Sequence, residues 1–238
     1  MWGIFVIMYD KAPMKRNQSG FTLVEIAIVL VIIGLLLGGI LKGQELVQNA
    51  RVRNLADQQN AVAAAYFAFQ DRYRALPGDY AAATTNIPNV TAAPACGGGA
   101  CVPGDSQITA TERVFVWHHL TNAGFISCPV CSTDPTATAG TPGANNSLVN
   151  AYNGFMTLEW LNNYAVVAPA VAANVNHLKS GLQVPSNIMA EVDRKLDDGN
   201  PNTGKFRNLS GAAAALCANG NEWQSVAPQP SCESANLF

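Results

Sequence analysis

The feature that most constrains this chain is an apolar run near its N-terminus. Residues 21–41 read FTLVEIAIVLVIIGLLLGGIL, and Glu25 is the one charged side chain among these 21 residues. As an α-helix the run is about 30 Å long, which matches the hydrocarbon thickness of a bilayer. A cleaved secretory signal normally has a shorter apolar region, of about 7–15 residues, followed by a small-x-small cleavage site. No such site follows Leu41, so the sequence predicts a single membrane-spanning helix.

The charges on either side of the run predict how it is oriented. Lys15 and Arg16 lie just before it. Because basic residues are retained on the cytoplasmic side of a membrane, we expect the N-terminus to face the cytoplasm. The remainder of the chain then lies on the opposite side.

Glu25 is an unusual residue for such a helix. A carboxylate at mid-span costs about 2.5–3.5 kcal/mol on insertion scales, and less near the interface. No basic residue lies within one helical turn of it. The sequence therefore predicts that Glu25 lacks an intrachain partner. We expect the partner to come from another chain, or from an α-amino group released by cleavage nearby.

The segment 15–25, KRNQSGFTLVE, resembles the processing site of type IV prepilins. The resemblance covers roughly residues 14–76. It implies that a membrane peptidase cleaves between Gly20 and Phe21 and methylates the new amine of Phe21, and that Glu25 acts in assembly. Residues 1–20 are then a leader peptide, whose true start is expected at Met14. Its removal takes away three bases and one acid, so the net charge of −2 becomes −4.

The same resemblance implies a non-enzymatic function. We expect a structural subunit of a type IV pilus-like filament or of a type II secretion pseudopilus, assembled through its N-terminal helix. The expected partners are prepilin peptidase, the inner-membrane assembly platform, and pilin-like subunits including other copies of the chain. The expected location is the bacterial inner membrane, with a periplasmic head, and then a periplasmic or extracellular filament. The alternative is a minor or tip pilin whose head is a ligand-binding or adhesion module.

Beyond the apolar run, residues 42–76 have the pattern of an amphipathic helix. Their apolar residues recur at steps of three, four or seven, at Val52, Leu55, Val62, Tyr66, Phe69, Tyr73 and Leu76. This spacing places them on one helical face, with Gln59 in the gap. Pro77-Gly78 is expected to end the helix. Many prepilin-like chains have a proline just after the apolar run, whereas this chain has Lys42 there.

Residues 77–238 are predicted to form a globular head. The resemblance implies an α+β fold of the pilin type, in which the long helix packs on a small antiparallel sheet with long disulfide-bearing loops. The patterns predict loops at 77–109 and 132–147 and helices at 111–123 and 185–198. Strands are predicted at 154–160, 164–167, 204–209 and 222–226.

Six cysteines occur as near pairs in the head: Cys96/Cys101, Cys128/Cys131 and Cys217/Cys232. Structural disulfides between near neighbours are favoured, because the head is expected in an oxidising compartment. Two alternatives stay open. One is a zinc site from the first four cysteines, and the other is a redox-active C-x-x-C at Cys128 and Cys131.

No other pattern in the head indicates an enzyme. His118 and His119 are adjacent on a predicted helix and point about 100° apart, so joint chelation is disfavoured. His177 has no nucleophile near it in sequence. Balanced charges, 14 basic against 16 acidic residues, argue against nucleic acid as a partner.

One cluster of oxygen-bearing side chains lies at the end of the second predicted head helix and in the turn after it, at Asp197, Asp198, Asn200 and Asn202. These four residues are candidate calcium ligands, although the spacing does not fit the twelve-residue calcium loop. The simpler interpretation is a helix end followed by a turn, where Asp and Asn are common. No other cofactor is expected.

Overall fold

The computed structural model describes residues 20, 22–94, 102–135, 140–210 and 216–238. The chain divides into two compact units between Leu46 and Val47. Cys96, Cys101 and Phe21 lie outside the described residues.

The long helix, α1, spans Leu23–Tyr73. Its length and composition are sufficient to cross a membrane, and no part of its most apolar window is buried. Lys42, at the position where many prepilin-like chains have a proline, forms an ion pair with Glu45 at 2.7 Å. The helix ends three residues before Leu76 because Arg74 adopts a left-handed conformation with a φ of 52°.

The second part of α1 packs into the core of the unit 47–238, as its pattern predicts. Six members of the predicted apolar stripe are buried: Val52, Leu55, Val62, Tyr66, Phe69 and, beyond the end of the helix, Leu76. Gln59, which interrupts the stripe, is buried as well. Its Oε1 accepts a hydrogen bond from Asn236 Nδ2 at 3.4 Å, so this polar side chain ties the helix to the last strand.

The unit 47–238 contains a four-stranded antiparallel sheet. Its strands are β1 (Thr157–Leu161), β2 (Val175–Lys179), β3 (Phe206–Asn208) and β6 (Ser234–Leu237). They are arranged in the order β1-β2-β6-β3. A separate two-stranded ribbon consists of β4 (Ala218–Asn219) and β5 (Glu222–Trp223).

The two central strands of the sheet were not predicted from sequence. Both β2 and β6 contain polar residues on buried positions, such as His177 and Ser234. Each of these strands is hydrogen-bonded to a strand on both sides. Their extended conformation therefore follows from this pairing and not from an alternating pattern in their own sequence. The strand predicted at 164–167 is wrong, because Tyr164 forms just an isolated bridge with Leu209.

In the described part of the unit, three further α-helices accompany the sheet, α2 (Ala83–Asn86), α3 (Arg113–Asn122) and α4 (Ser186–Leu196), together with a short 3-10 helix at Pro129–Cys131. The short α2 lies in a stretch predicted as loop. Gly124, with a φ of 81°, ends α3 as predicted. Its N–H donates to Thr121 O at 3.0 Å and the N–H of Phe125 donates to Leu120 O at 2.9 Å, which is a Schellman motif. Pro185 is the N-cap of α4 instead of its first turn.

Two large core clusters hold the elements of this unit together. The first packs Phe69 of α1 and Trp117 of α3 against Leu158 and Leu178 of the sheet. The second packs Val52 and Leu55 of α1 against α4 and β3. It also includes the disulfide-bonded Cys217 and Cys232. The α+β arrangement of long helix and small antiparallel sheet is thus confirmed.

Candidate functional sites

The residues expected to be processed lie at the very start of α1. Gly20 is exposed, and a Cβ added there would meet no atom within 4 Å. The helix begins at Leu23, so Thr22 directly precedes its first turn. The peptide bond expected to be cut therefore follows an open glycine that lies three residues before the start of the helix.

Glu25 has an intrachain partner, contrary to the prediction from sequence. The backbone N–H and the hydroxyl of Thr22 both donate to Glu25 Oε2, each at 2.8 Å, and the N–H of Glu25 donates to Thr22 Oγ1 at 3.3 Å. This reciprocal arrangement is a capping box. Its signal, a threonine three residues before a glutamate, was present in the sequence.

The capping box uses one carboxylate oxygen of Glu25 and leaves the other, Oε1, available for a further hydrogen bond or ion pair. Glu25 Oε1 accepts no hydrogen bond from the described part of the chain. No basic side chain lies near it there, so the expectation of a cation from elsewhere still applies. Thr22 thus orients Glu25 without neutralising it.

The helical segment that follows has an uncovered apolar surface. From Thr22 to Ala50 every residue is exposed, and Leu23 reaches 92%. A contiguous apolar surface of this size marks contact with a membrane or with other proteins. The segment is therefore suited to both bilayer anchoring and packing against copies of itself.

Two of the predicted disulfides are formed, and the third, Cys96/Cys101, lies outside the described residues. Cys217 pairs with Cys232, and Cys128 pairs with Cys131. All four of these cysteines are buried, which shields both disulfide bonds from reductants. Because their thiols are consumed, the alternative zinc site does not form from Cys128 and Cys131.

The histidines are core residues. His119 accepts a hydrogen bond from the N–H of Gly78 at 3.0 Å, and burial lowers its pKa to about 3, so its ring is neutral. His118 Nε2 lies 2.7 Å from Asp134 Oδ1. His177 is buried in β2, and this burial lowers its pKa as well. Each histidine is used in packing or in a structural hydrogen bond.

The acidic cluster differs in composition from the predicted one. Asp193, Asp197 and Asp198 bring carboxylate oxygens within 4.8 Å of one another. Asp193 was not among the predicted ligands because those were placed at the end of the predicted helix and in the turn after it, and Asp193 lies one helical turn earlier. The two asparagines serve the turn, in which Asn200 N–H donates to Asp198 Oδ1 at 2.8 Å and Asn202 N–H donates to Asn200 Oδ1 at 3.0 Å.

Asp193 is the buried member of this cluster. Its Oδ2 accepts a hydrogen bond from Trp223 Nε1 at 2.7 Å, and its Oδ1 accepts one from the N–H of Gly199 at 3.2 Å. Burial raises its pKa to about 6, and the negative charges of Asp198 and Asp197 add to this increase. The hydrogen bonds oppose the increase without cancelling it.

Comparison with known proteins identifies one region. A family model described as the prokaryotic N-terminal methylation motif matches residues 15–41. No curated protein and no solved structure matches the chain significantly. The match covers the basic leader residues, Gly20, Glu25 and the whole apolar run. The chain thus carries the prepilin-type N-terminal methylation motif of type IV pilins and pseudopilins.

Proposed function

We propose that the chain is a structural subunit of a type IV pilus-like filament or of a type II secretion pseudopilus. Residues 1–20 are its leader, and prepilin peptidase cleaves between Gly20 and Phe21. The observation that carries this proposal is the methylation motif at 15–41, directly joined to an exposed apolar helix with one acid near its start.

Assembly is proposed to depend on Glu25. Cleavage releases an amine at Phe21, and in a filament this amine of one subunit approaches Glu25 of a neighbour. Thr22 holds Glu25 Oε2 in the capping box, which leaves Oε1 for that amine. Two opposite charges 4 Å apart attract by about 4 kcal/mol at an effective dielectric of 20. Removal from water offsets part of this gain.

The proposed location follows from the helix and its flanking charges. The helix of the new subunit spans the inner membrane with its N-terminus in the cytoplasm and its head in the periplasm. The assembly platform then moves the subunit into a filament whose interior is built from the apolar helices of pilin-like subunits. In this proposal the chain has no catalytic role of its own.

Mass spectrometry of the protein recovered from its native membrane tests the proposal. We expect a mature chain that begins with N-methylated Phe21 and that also appears in sheared or cross-linked filament fractions. Recovery of chains that retain Met14, or that begin after Leu41, would contradict it.

A second candidate function is a minor or tip subunit whose head binds a ligand. The observation that favours it is a cleft of about 420 Å³ in the unit 47–238. The cleft is lined by charged, amide and apolar side chains, a mixture found in ligand sites.

A further inference from the structure

The cleft lies between two turns of the chain. One turn covers residues 150–155, and the other, 180–183, follows β2. Lys179 and Glu233 also line it. Its volume of about 420 Å³ falls in the range of small-molecule sites.

A buried asparagine fixes the two turns to each other. Asn150 Oδ1 accepts hydrogen bonds from the N–H groups of Tyr152 and Gly154, at 2.8 and 2.9 Å. Its Nδ2 donates to the carbonyl oxygens of Ser180 and Gly181, at 2.8 and 3.3 Å. One side chain thus orders the first turn and links it to the second, so the cleft is preorganised.

Two glycines allow this close approach. A Cβ on Gly154 would overlap the carbonyl oxygen of Leu182. Gly181 has a φ of 80°, and a Cβ there would lie 2.8 Å from Phe155 O. The backbones of the two turns are therefore in direct contact, and larger residues at these positions would open the cleft.

The charges of the cleft neutralise one another. Glu159 is paired with Arg113 Nη1 at 2.7 Å and with Lys179 Nζ at 3.1 Å, and Lys179 also lies 3.6 Å from Glu233. A charged ligand would have to displace one of these ion pairs. A neutral polar ligand can add hydrogen bonds while leaving them intact, so the charge balance favours it.

Two amide side chains at the rim are available for such a ligand. Asn153 and Gln183 adopt left-handed conformations, with φ of 63° and 71°. Such conformations are costly for residues other than glycine and cluster at functional sites. Both side chains line the cleft and make no hydrogen bond to the described part of the chain. Each amide can donate and accept at once, which suits a hydroxyl group.

Partly exposed apolar side chains also contribute to the lining. Phe155 is 37% exposed and Leu182 is 53% exposed, and both line the cleft. We propose that this cleft binds a neutral sugar, with its hydroxyls on the amides of Asn153 and Gln183 and its C–H face on Phe155. This proposal deepens the second candidate function and does not depend on filament assembly.

The test measures sugar binding to the full mature chain in micelles of a detergent without a sugar headgroup. The probes are glucose, galactose, mannose and N-acetylglucosamine, observed by saturation-transfer NMR and titration calorimetry. The methyl glycosides of these sugars form a second arm of the test. Because their anomeric position is blocked, as it is in the terminal residue of a glycan, they distinguish binding of a glycan end from binding of a free sugar. Asn153→Gly and Gln183→Gly remove one amide each, and glycine adds no strain at a positive φ.

A matched control is available at Asn89, an exposed left-handed asparagine with a φ of 60° that does not line the cleft. We expect at least one probe to bind, each cleft variant to weaken it about tenfold, and Asn89→Gly to leave it unchanged. Phe155→Ala should weaken binding as well. The absence of binding by every probe would overturn the proposal, as would equal binding by wild type and both cleft variants.

Discussion

Thr22 donates two hydrogen bonds to one carboxylate oxygen of Glu25 and receives one from the N–H of Glu25. This relationship places the acid at the first turn of α1, where a negative charge also interacts favourably with the helix dipole. The second carboxylate oxygen stays available for the amine of a neighbouring subunit. The contribution of the charge to assembly can therefore be separated from its contribution to the helix start.

We expect Glu25→Gln to be inserted and cleaved normally but to incorporate poorly into filaments, because it keeps the shape and loses the charge. Glu25→Leu should insert at least as well and assemble as badly. The measurement is the ratio of filament-bound to membrane-bound subunit at native expression level. Normal incorporation of both variants would show that the charge does not drive assembly.

Thr22 variants provide the complementary test. Thr22→Val removes the hydroxyl donor and the N-cap acceptor, which costs the helix start about 1 kcal/mol. The backbone N–H bond to Glu25 remains, so we expect a smaller loss of incorporation than for Glu25→Gln. Thr22→Ser keeps the hydroxyl and should resemble wild type. If Thr22→Val lowered filament incorporation as much as Glu25→Gln does, the orientation of the Glu25 carboxylate would matter more for assembly than its charge.

Processing should respond to the size of residue 20. Gly20→Ala is expected to slow cleavage modestly, and a bulky residue such as phenylalanine should block it, because the peptidase must accommodate this part of the backbone. Pulse-chase labelling followed by electrophoresis separates precursor from mature chain. Unchanged cleavage of the bulky variant would argue against a cut between Gly20 and Phe21.

The two disulfides should differ in their contribution to stability. Cys217–Cys232 closes a loop with a separation of 15 residues, and Cys128–Cys131 one with a separation of 3. Chain entropy predicts losses of about 3 and about 2 kcal/mol in the free energy of unfolding when each pair is removed. Urea titration of the two double alanine variants, read from tryptophan fluorescence, gives this comparison. A larger loss for the Cys128/Cys131 variant would contradict it.

Asp193 should make stability depend on pH. Its folded pKa, about 6, lies above its ordinary value of 3.8. The folded state therefore binds the proton more tightly, and this group lowers the free energy of unfolding as pH rises from about 4 to above 6. Asp193→Asn, which keeps an acceptor for Trp223, should remove that part of the pH dependence. Denaturant melts across this range measure it, and parallel profiles for the two proteins would refute the prediction.

Calcium binding stays a prediction, and the cluster of Asp193, Asp197 and Asp198 is where it can be tested. A cation there would relieve the repulsion among three nearby carboxylates, so added calcium should raise the melting temperature. Asp197→Asn should reduce this increase, whereas Asp71→Asn, at an exposed acid of α1, should not. Equal melting temperatures in calcium and in chelator would remove calcium from consideration.

The start of the chain could be interpreted from sequence because its properties are local. The length of the apolar run, the glycine before it and the single acid within it are all contained in residues 15–41. The amphipathic stripe from Val52 to Phe69 could also be predicted from sequence, because helical periodicity relates residues that are three or four positions apart in the chain. The Thr22–Glu25 pair belonged to the same local information and was overlooked.

The head was decided by tertiary structure. The central strands β2 and β6 have no clear alternation, and they become strands because hydrogen-bonding partners distant in sequence flank them. Asp193 lies beside Asp197 and Asp198 in the folded chain, where its carboxylate is buried against Trp223. The cleft proposed to bind a sugar likewise forms where Asn150 joins two turns about 30 residues apart. The sequence by itself thus determined the anchor and its processing motif, through short-range spacing. Long-range pairing and burial determined the sheet and the sites of the head.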